Sequence, residues 1–156
     1  MKKIIAAVLS LCLILTTMSA FAANDQSDAD YSWYGDGSAA TYDLYDVGDL
    51  RGFADIVNGK ADGIEKDSFA GKTVRLNDDI DLTGVVWTPI GTSMYDHAAD
   101  SADTKQFEGT FDGGNHTITG LSSEGYVVSE DDFSSGEHSF GLFGYAYGAN
   151  IKNVKL

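Results

Sequence analysis

Cysteine is all but missing from this chain: the one copy among 156 residues is Cys12, inside an apolar stretch near the N-terminus. Beyond that stretch there is no thiol, which excludes disulfides, thiolate metal ligands and cysteine nucleophiles. Stability must come from burial and backbone pairing. Cys12 follows Leu11, so it also lacks the small preceding residue and the late position of a lipid-modified cysteine. Long apolar runs are equally scarce. Only residues 4–17 form one, and it is shorter than the roughly 20 residues that a membrane span needs. Positive charge is the third shortage, with ten Lys and Arg against 24 Asp and Glu and a formal charge of −14.

The apolar run sits behind Lys2 and Lys3 and ahead of small residues ending Ala20-Phe21-Ala22, the three-part layout of a secretory signal peptide. Cleavage is expected after Ala22, giving a secreted or cell-surface product without membrane insertion. Losing Lys2 and Lys3 takes the basic residues to eight against the same 24 acidic ones, and the formal charge to −16. Nucleic acid and anionic membrane are poor partners for such a surface, because binding them depends on neutralising phosphate. Calcium, glycans and other proteins remain open. Removing 22 of 156 residues leaves 134, the size of one domain.

Residues 23–32 are small or acidic, without an apolar period, and read as a flexible arm, with order beginning near Trp33. "TYDLYDV" alternates Tyr42 and Leu44 on one face, as a short strand does. In "DVGDLRGFADIVNGK" the residues Val47, Leu50, Phe53, Ala54 and Val57 recur at helical steps. Asp46 can cap the first turn and Asn58-Gly59 supplies a left-handed stop, which predicts a helix over about 46–58. Gly48 and Gly52 weaken that helix by about 1 kcal/mol each relative to Ala, so its stripe must be held by something larger.

After Gly71 come short β-type runs bounded by Gly, Asn or Asp: "KTVRLNDDIDL", "VVWTPIG", "FEGTF", "HTITGL", "SFGLFGYA" and "NIKNVKL". No helical period recurs between them. That leaves a sandwich, a barrel or a coiled stack of parallel strands. The similar spacing of "HTITGL" and "NIKNVKL" after Asn-containing corners favours the stack. Two acidic, small-residue segments, 92–106 and 122–139, read as loops bulging from one face, where function tends to sit.

The blocks "WYGDGSAATYDLYDVGDLRGFADIVNG", "FAGKTVRLNDDIDLTGVVWTPIG", "FEGTFDGGNHTITGL" and "FGLFGYAYGANIKNVKL" together resemble the GLUG-motif bacterial surface proteins, which carry right-handed parallel β-helix repeats. The resemblance implies an all-β fold: a short right-handed parallel β-helix (solenoid) over 33–156, with an N-terminal amphipathic capping helix. It also implies an adhesin-like role, since members are mostly exported or wall-attached, some joined to peptidase or carbohydrate-active regions. Against the family pattern, the strand-like run stops at Leu156 without further repeats. The expectation is therefore a piece truncated at the C-terminus, or an open end that takes further repeats or a partner.

In "FEGTFDGGNHTITGL", residues 107–121, Phe107, Phe111, Ile118 and Leu121 are expected inward, with Gly109, Gly113, Gly114 and Asn115 at tight corners. Asp112 suits an Asx turn, and His116 opens the next strand facing solvent or a neighbouring rung. A lone His beside a lone Asp lacks the third group that a catalytic role requires. Asp78, Asp79 and Asp81 invite a calcium reading, but a strand puts Asp78 opposite the other two and the EF-hand spacing is absent. Glu130, Asp131 and Asp132 form a somewhat better calcium candidate, set against a plain acidic loop. A pectate-type lyase needs a basic residue near a calcium cluster, and the only arginines are Arg51, on the helix, and Arg75, read as an outward strand residue.

Trp33, Tyr34, Tyr95, Tyr126, Tyr145 and Tyr147 fit either a sugar-stacking platform or ladders inside the coil, and Trp87 fits a corner. The expected function is a non-catalytic, exported module presenting loops to a glycan or a host or cell-surface protein. It has no catalytic, cofactor or metal residues. The alternative is the N-terminal part of a carbohydrate-active lyase or hydrolase.

Overall fold

The computed structural model describes residues 28–96, 101–122 and 141–156, without the side chains of 93–96 and 101–103. Residues 1–27, 97–100 and 123–140 lie outside the described residues. Among the described residues strands dominate, and one helix accompanies them. In chain order they are β1 (Thr41–Leu44), α1 (Val47–Asn58), β2 (Thr73–Leu76), β3 (Ile80–Asp81), β4 (Thr92–Asp96), β5 (Ser101–Lys105), β6 (Thr110–Asp112), β7 (Ile118–Thr119) and β8 (Asn150–Lys152).

The main sheet is parallel throughout, in the order β1-β2-β6-β8. Its register sets Tyr42, Val74, Phe111 and Ile151 in one row, with Leu44 on Leu76. Tyr42, Leu44, Val74, Leu76 and Phe111 are buried. Because strand side chains alternate faces, the neighbouring rows point outward: Thr41, Thr73, Thr110 and Asn150, then Asp43, Arg75, Asp112 and Lys152. A second parallel pair joins β3 to β7, setting Ile80 beside Ile118. Parallel bridges link Ile90 with Phe143, Phe107 with Ala146 and Thr117 with Lys155. Parallel neighbours need long connections, and here α1 lies between β1 and β2, β3 to β5 between β2 and β6, and β7 between β6 and β8.

The helix forms where expected. The Asp46 carboxylate accepts the Asp49 N–H at 3.0 Å, and Gly59 closes the C-terminus with φ 65°. Its buried stripe centres on Phe53, whose ring meets Phe69 at 5.1 Å, Phe107 at 5.3 Å and Phe111 at 5.9 Å between centroids. Twelve residues with two glycines form a marginal helix in isolation, so this ring contact is what holds α1 to the sheet.

Two expectations need correction. Residues 28–32, read from composition as the end of an arm, lie along α1: the Asp30 N–H donates to the Gly48 carbonyl at 3.0 Å and the Tyr31 hydroxyl to Asp55 at 3.1 Å. Gly52 makes this possible, since a Cβ there would stand 2.0 Å from the Asp30 carbonyl oxygen. The segment 92–106, read as a loop, is an antiparallel hairpin in which Thr92 pairs with Lys105 and Asp96 with Ser101. Backbone pairing forms there without the alternating apolar residues that announce a strand. "VVWTPIG" and the described part of "SFGLFGYA" contribute single bridges rather than strands.

The two helix glycines should respond oppositely to substitution. Gly52→Ala gains about 1 kcal/mol of helix propensity but forces a backbone carbonyl aside, a clash of the kind that costs about 1–3 kcal/mol. The expected outcome is a lower Tm and loss of amide protection at Asp30. Gly48→Ala, whose Cβ would meet nothing closer than 3.3 Å, should leave Tm unchanged or raise it. Thermal melts with hydrogen exchange check both.

Candidate functional site

Residues 107–121 fold as a corner between two parallel sheets. Phe107, Phe111 and Ile118 are buried and Leu121 is half-buried against the core. Between them Gly114 (φ 58°) and Asn115 (φ 67°) take the left-handed backbone that reverses the chain. The Asp112 carboxylate accepts the Gly114 N–H at 3.1 Å, the Asx turn expected of it. The same carboxylate reaches the next strand, accepting the Asn153 side-chain amide at 2.9 Å and pairing with Lys152 at 3.3 Å.

His116 and Asp112 bond to different groups. The imidazole Nδ1 lies 3.3 Å from Asp79 Oδ1, and that oxygen also accepts the Thr117 N–H at 2.8 Å. The histidine therefore tethers the start of β7 to the turn before β3. Of the other two acids in "NDDIDL", Asp78 accepts the Asp79 N–H at 2.8 Å, while Asp81 accepts the Thr83 N–H at 2.9 Å and the Thr119 hydroxyl at 3.3 Å. The three carboxylates serve separate turns, and among the described residues no three His, Cys, Asp or Glu side chains group so as to hold a metal ion. Glu130, Asp131 and Asp132 lie outside the described residues.

Arg75, read as an outward strand residue, is outward and paired. Its guanidinium meets Asp43 Oδ1 at 2.7 and 2.8 Å, and the Asn77 amide donates to the same oxygen at 2.8 Å. Asp43 with Arg75 and Asn77, and Asp112 with Lys152 and Asn153, are two copies of one arrangement. A carboxylate on one strand is held by a cation and an asparagine on the next. These pairs follow from cross-strand register, so nothing local in the sequence announces them.

The electrostatics agree. The Asn153 amide, the Gly114 N–H and Lys152 hold Asp112 below the usual carboxylate range. The Thr117 N–H and then His116 do so for Asp79, and the Thr83 hydroxyl and N–H for Asp81. Burial pushes Asp43 upward, but Asn77 and Arg75 outweigh it and leave it lowered. Asp49 goes the other way, raised by burial although it accepts the Tyr45 N–H at 2.8 Å.

The aromatics divide. Trp33, Tyr34, Tyr42 and Phe69 pack together, with Tyr34 on Tyr42 at 5.4 Å and Trp33 on Tyr42 at 5.7 Å. Trp33 and Tyr34 are thus packing residues rather than a platform. Trp87 is buried, and its indole donates to the Leu142 carbonyl at 3.3 Å. Tyr147 is exposed and Tyr145 half-buried, and they flank Ala146, whose parallel bridge to Phe107 takes the Tyr145 carbonyl and the Tyr147 N–H. The side chains of Tyr95 and Tyr126 lie outside the described residues.

The structure adds one feature that residue patterns did not single out. A cleft of about 410 Å³ opens beside Tyr34, Asp36, Lys66 and Asp67. On its wall is Asp67, which pairs with Lys72 and accepts the Tyr34 hydroxyl at 2.8 Å and the Phe69 N–H at 2.8 Å. Burial pushes the Asp67 carboxyl up, and these three donors bring it below its ordinary range. Asp36 is held in its own turn by the Ser38 hydroxyl at 2.6 Å and the Ser38 N–H at 3.0 Å. Compared with known protein families, characterised proteins and solved structures, the chain matches none.

These bonds set a pH dependence. Asp43, Asp67, Asp79, Asp81 and Asp112 titrate lower in the folded chain than the ordinary value of about 3.9. Their stabilisation is complete above that value and is lost as pH falls through the lower folded values. Asp49 has the opposite sign, costing stability at neutral pH and releasing it on protonation. The expected outcome is acid unfolding below pH of about 4 by circular dichroism, with a shallower pH dependence in Asp43→Asn/Asp112→Asn. Asp112→Ala alone should cost on the order of 1 kcal/mol in denaturant melts, the worth of a side-chain hydrogen bond.

Proposed function

We propose that the parallel strands are successive rungs of a right-handed parallel β-helix, that this chain is its N-terminal portion with α1 as the cap, and that the module is non-catalytic. It is read as an exported, adhesin-like surface module of the GLUG-motif kind. Its work is presentation to a glycan or a surface protein, with segments 92–106 and 122–139 as the displayed parts.

The observation that carries this reading is the in-register stacking of like on like: threonines at Thr41, Thr73 and Thr110, apolar residues at Tyr42, Val74 and Phe111, and charges at Asp43, Arg75 and Asp112. Repeated rows of that kind are what a rising coil of rungs produces. A second support is the use made of the acidic side chains. Asp43, Asp79, Asp81 and Asp112 bond to turns and neighbouring strands, which is structural employment. The lopsided charge fits a solvated outer surface. Among the described residues no helix is long and apolar enough to cross a membrane.

Purified chain applied to a glycan array and to extracted surface proteins should bind a subset saturably, and the captured glycan should be recovered intact. Release of unsaturated or reducing sugar ends from the same ligands would overturn the reading in favour of a carbohydrate-active enzyme. Binding to no surface glycan or protein would remove the adhesive role while leaving the fold proposal untouched.

A further inference from the structure

The cleft beside Tyr34 is built from two segments outside the strands and the helix, residues 34–37 and 63–67, all of them described. Its volume of about 410 Å³ is that of a small-molecule site. Part of its wall is fixed in advance. The Asp67 carboxylate is held by Lys72, the Tyr34 hydroxyl and the Phe69 N–H, and the Tyr34 ring is locked in turn against Trp33 and Tyr42. Gly37 lets the chain close over that hydroxyl, since a Cβ there would stand 2.6 Å from it. At Gly35 and Gly63, one on each segment, a Cβ would meet nothing within 4 Å, so both segments line the cleft with bare backbone.

Charge narrows the choice of occupant. Lys72 balances Asp67, which leaves Asp36 and Glu65 against Lys66, all three exposed. An anion would meet two unbalanced carboxylates on a chain whose formal charge is −14. A cation would meet Lys66 and find Asp67 already paired. A neutral ligand that both donates and accepts hydrogen bonds suits the set, because its hydroxyls can donate to Asp36 and Glu65 and accept from Lys66. Ile64 and Tyr34 supply the apolar part of the lining. Hydroxyls on a ring with apolar C–H faces are what a saccharide carries.

We propose that this cleft is a saccharide-binding site that seats one neutral sugar unit, with Asp36, Glu65 and Lys66 as its hydrogen-bonding residues. Its position agrees with display by the hairpin. The Lys66 ammonium donates to the carbonyl of Thr104 in β5 at 3.4 Å, and Thr104 pairs with Ser93 near the end of the hairpin away from its turn. The cleft thus lies at the foot of segment 92–106. The inference deepens the glycan form of the reading above and rests on it for the source of the ligand, while the cleft's geometry is independent of it.

The test is amide NMR of the purified, isotope-labelled chain titrated separately with free glucose, galactose and N-acetylglucosamine. At least one of them, added to about 100 mM, should displace the Gly35, Gly37 and Gly63 signals saturably, with a Kd on the order of 1–10 mM, while Gly48 and Gly52 stay fixed. Putrescine and glucuronate, a cation and an anion, should bind there more weakly than that sugar. Asp36→Asn/Glu65→Gln alters two exposed side chains without changing their shape, so its thermal melt at neutral pH should match that of the unaltered chain and its sugar affinity should fall about fivefold or more. No saturable shift with any of the three sugars, shifts confined to other residues, tighter binding of putrescine or glucuronate, or undiminished affinity in the double variant would overturn the proposal. Glycan-array binding that the double variant retains would sink the cleft and leave the adhesive role standing. Cleft shifts with free sugar, on a chain that captures no surface glycan, would do the reverse.

Discussion

Parallel strands in register place each side chain directly beside its counterpart one strand away, and every other feature of this molecule works around that constraint. Once Tyr42, Val74 and Phe111 share a row, the flanking residues are committed to an outer row in which bulk, polarity and charge must also agree. The chain satisfies the outer requirement by alternating carboxylates with cations and the inner one by converging aromatic rings on Phe53. The helix is then a consequence of the sheet. Its own propensity is poor, and the rings beneath it supply the surface it buries.

The same constraint explains how a protein this acidic remains folded. Carboxylates with few cations to neutralise them would repel one another if left to solvent alone. Here they are distributed as acceptors for backbone N–H groups, side-chain amides and hydroxyls at successive turns, with Asp43, Asp79, Asp81 and Asp112 each serving a different one. Hydrogen bonds to the charged form favour it, so charge and turn geometry reinforce each other. The stretch that carries Asp112, Gly113, Gly114, Asn115 and His116 is a corner for this reason, with its histidine turned toward Asp79 on another turn.

What could be read from sequence was local. Asp46, Asn58 and Gly59 mark the ends of α1 because capping uses neighbouring backbone groups, and Asn115 and Asp112 mark a corner for the same reason. The inward set of Phe107, Phe111 and Ile118 was visible because period-two burial is a property of each strand alone. Pairings across strands were not visible. Arg75 with Asp43, His116 with Asp79, and Tyr34 with Asp67 each join residues more than 30 positions apart, so only register brings them together. The hairpin over 92–105 was hidden because its residues lack alternation, and the docking of residues 28–32 because it depends on what Gly52 omits.

The spacing of those pairs also bears on how the molecule reaches its native state. Asp43 and Arg75 are 32 residues apart, and Asp112 and Asn153 are 41 apart. Closing each such span costs chain entropy before any ladder contact rewards it, which places the sheet among slow-forming topologies. α1 needs only its own caps and can form early, although it cannot persist until β2 and β6 bring Phe69, Phe107 and Phe111 beneath Phe53. Assembly therefore has a direction: the aromatic anchor on α1 waits for the strands that bring its partner rings beneath it.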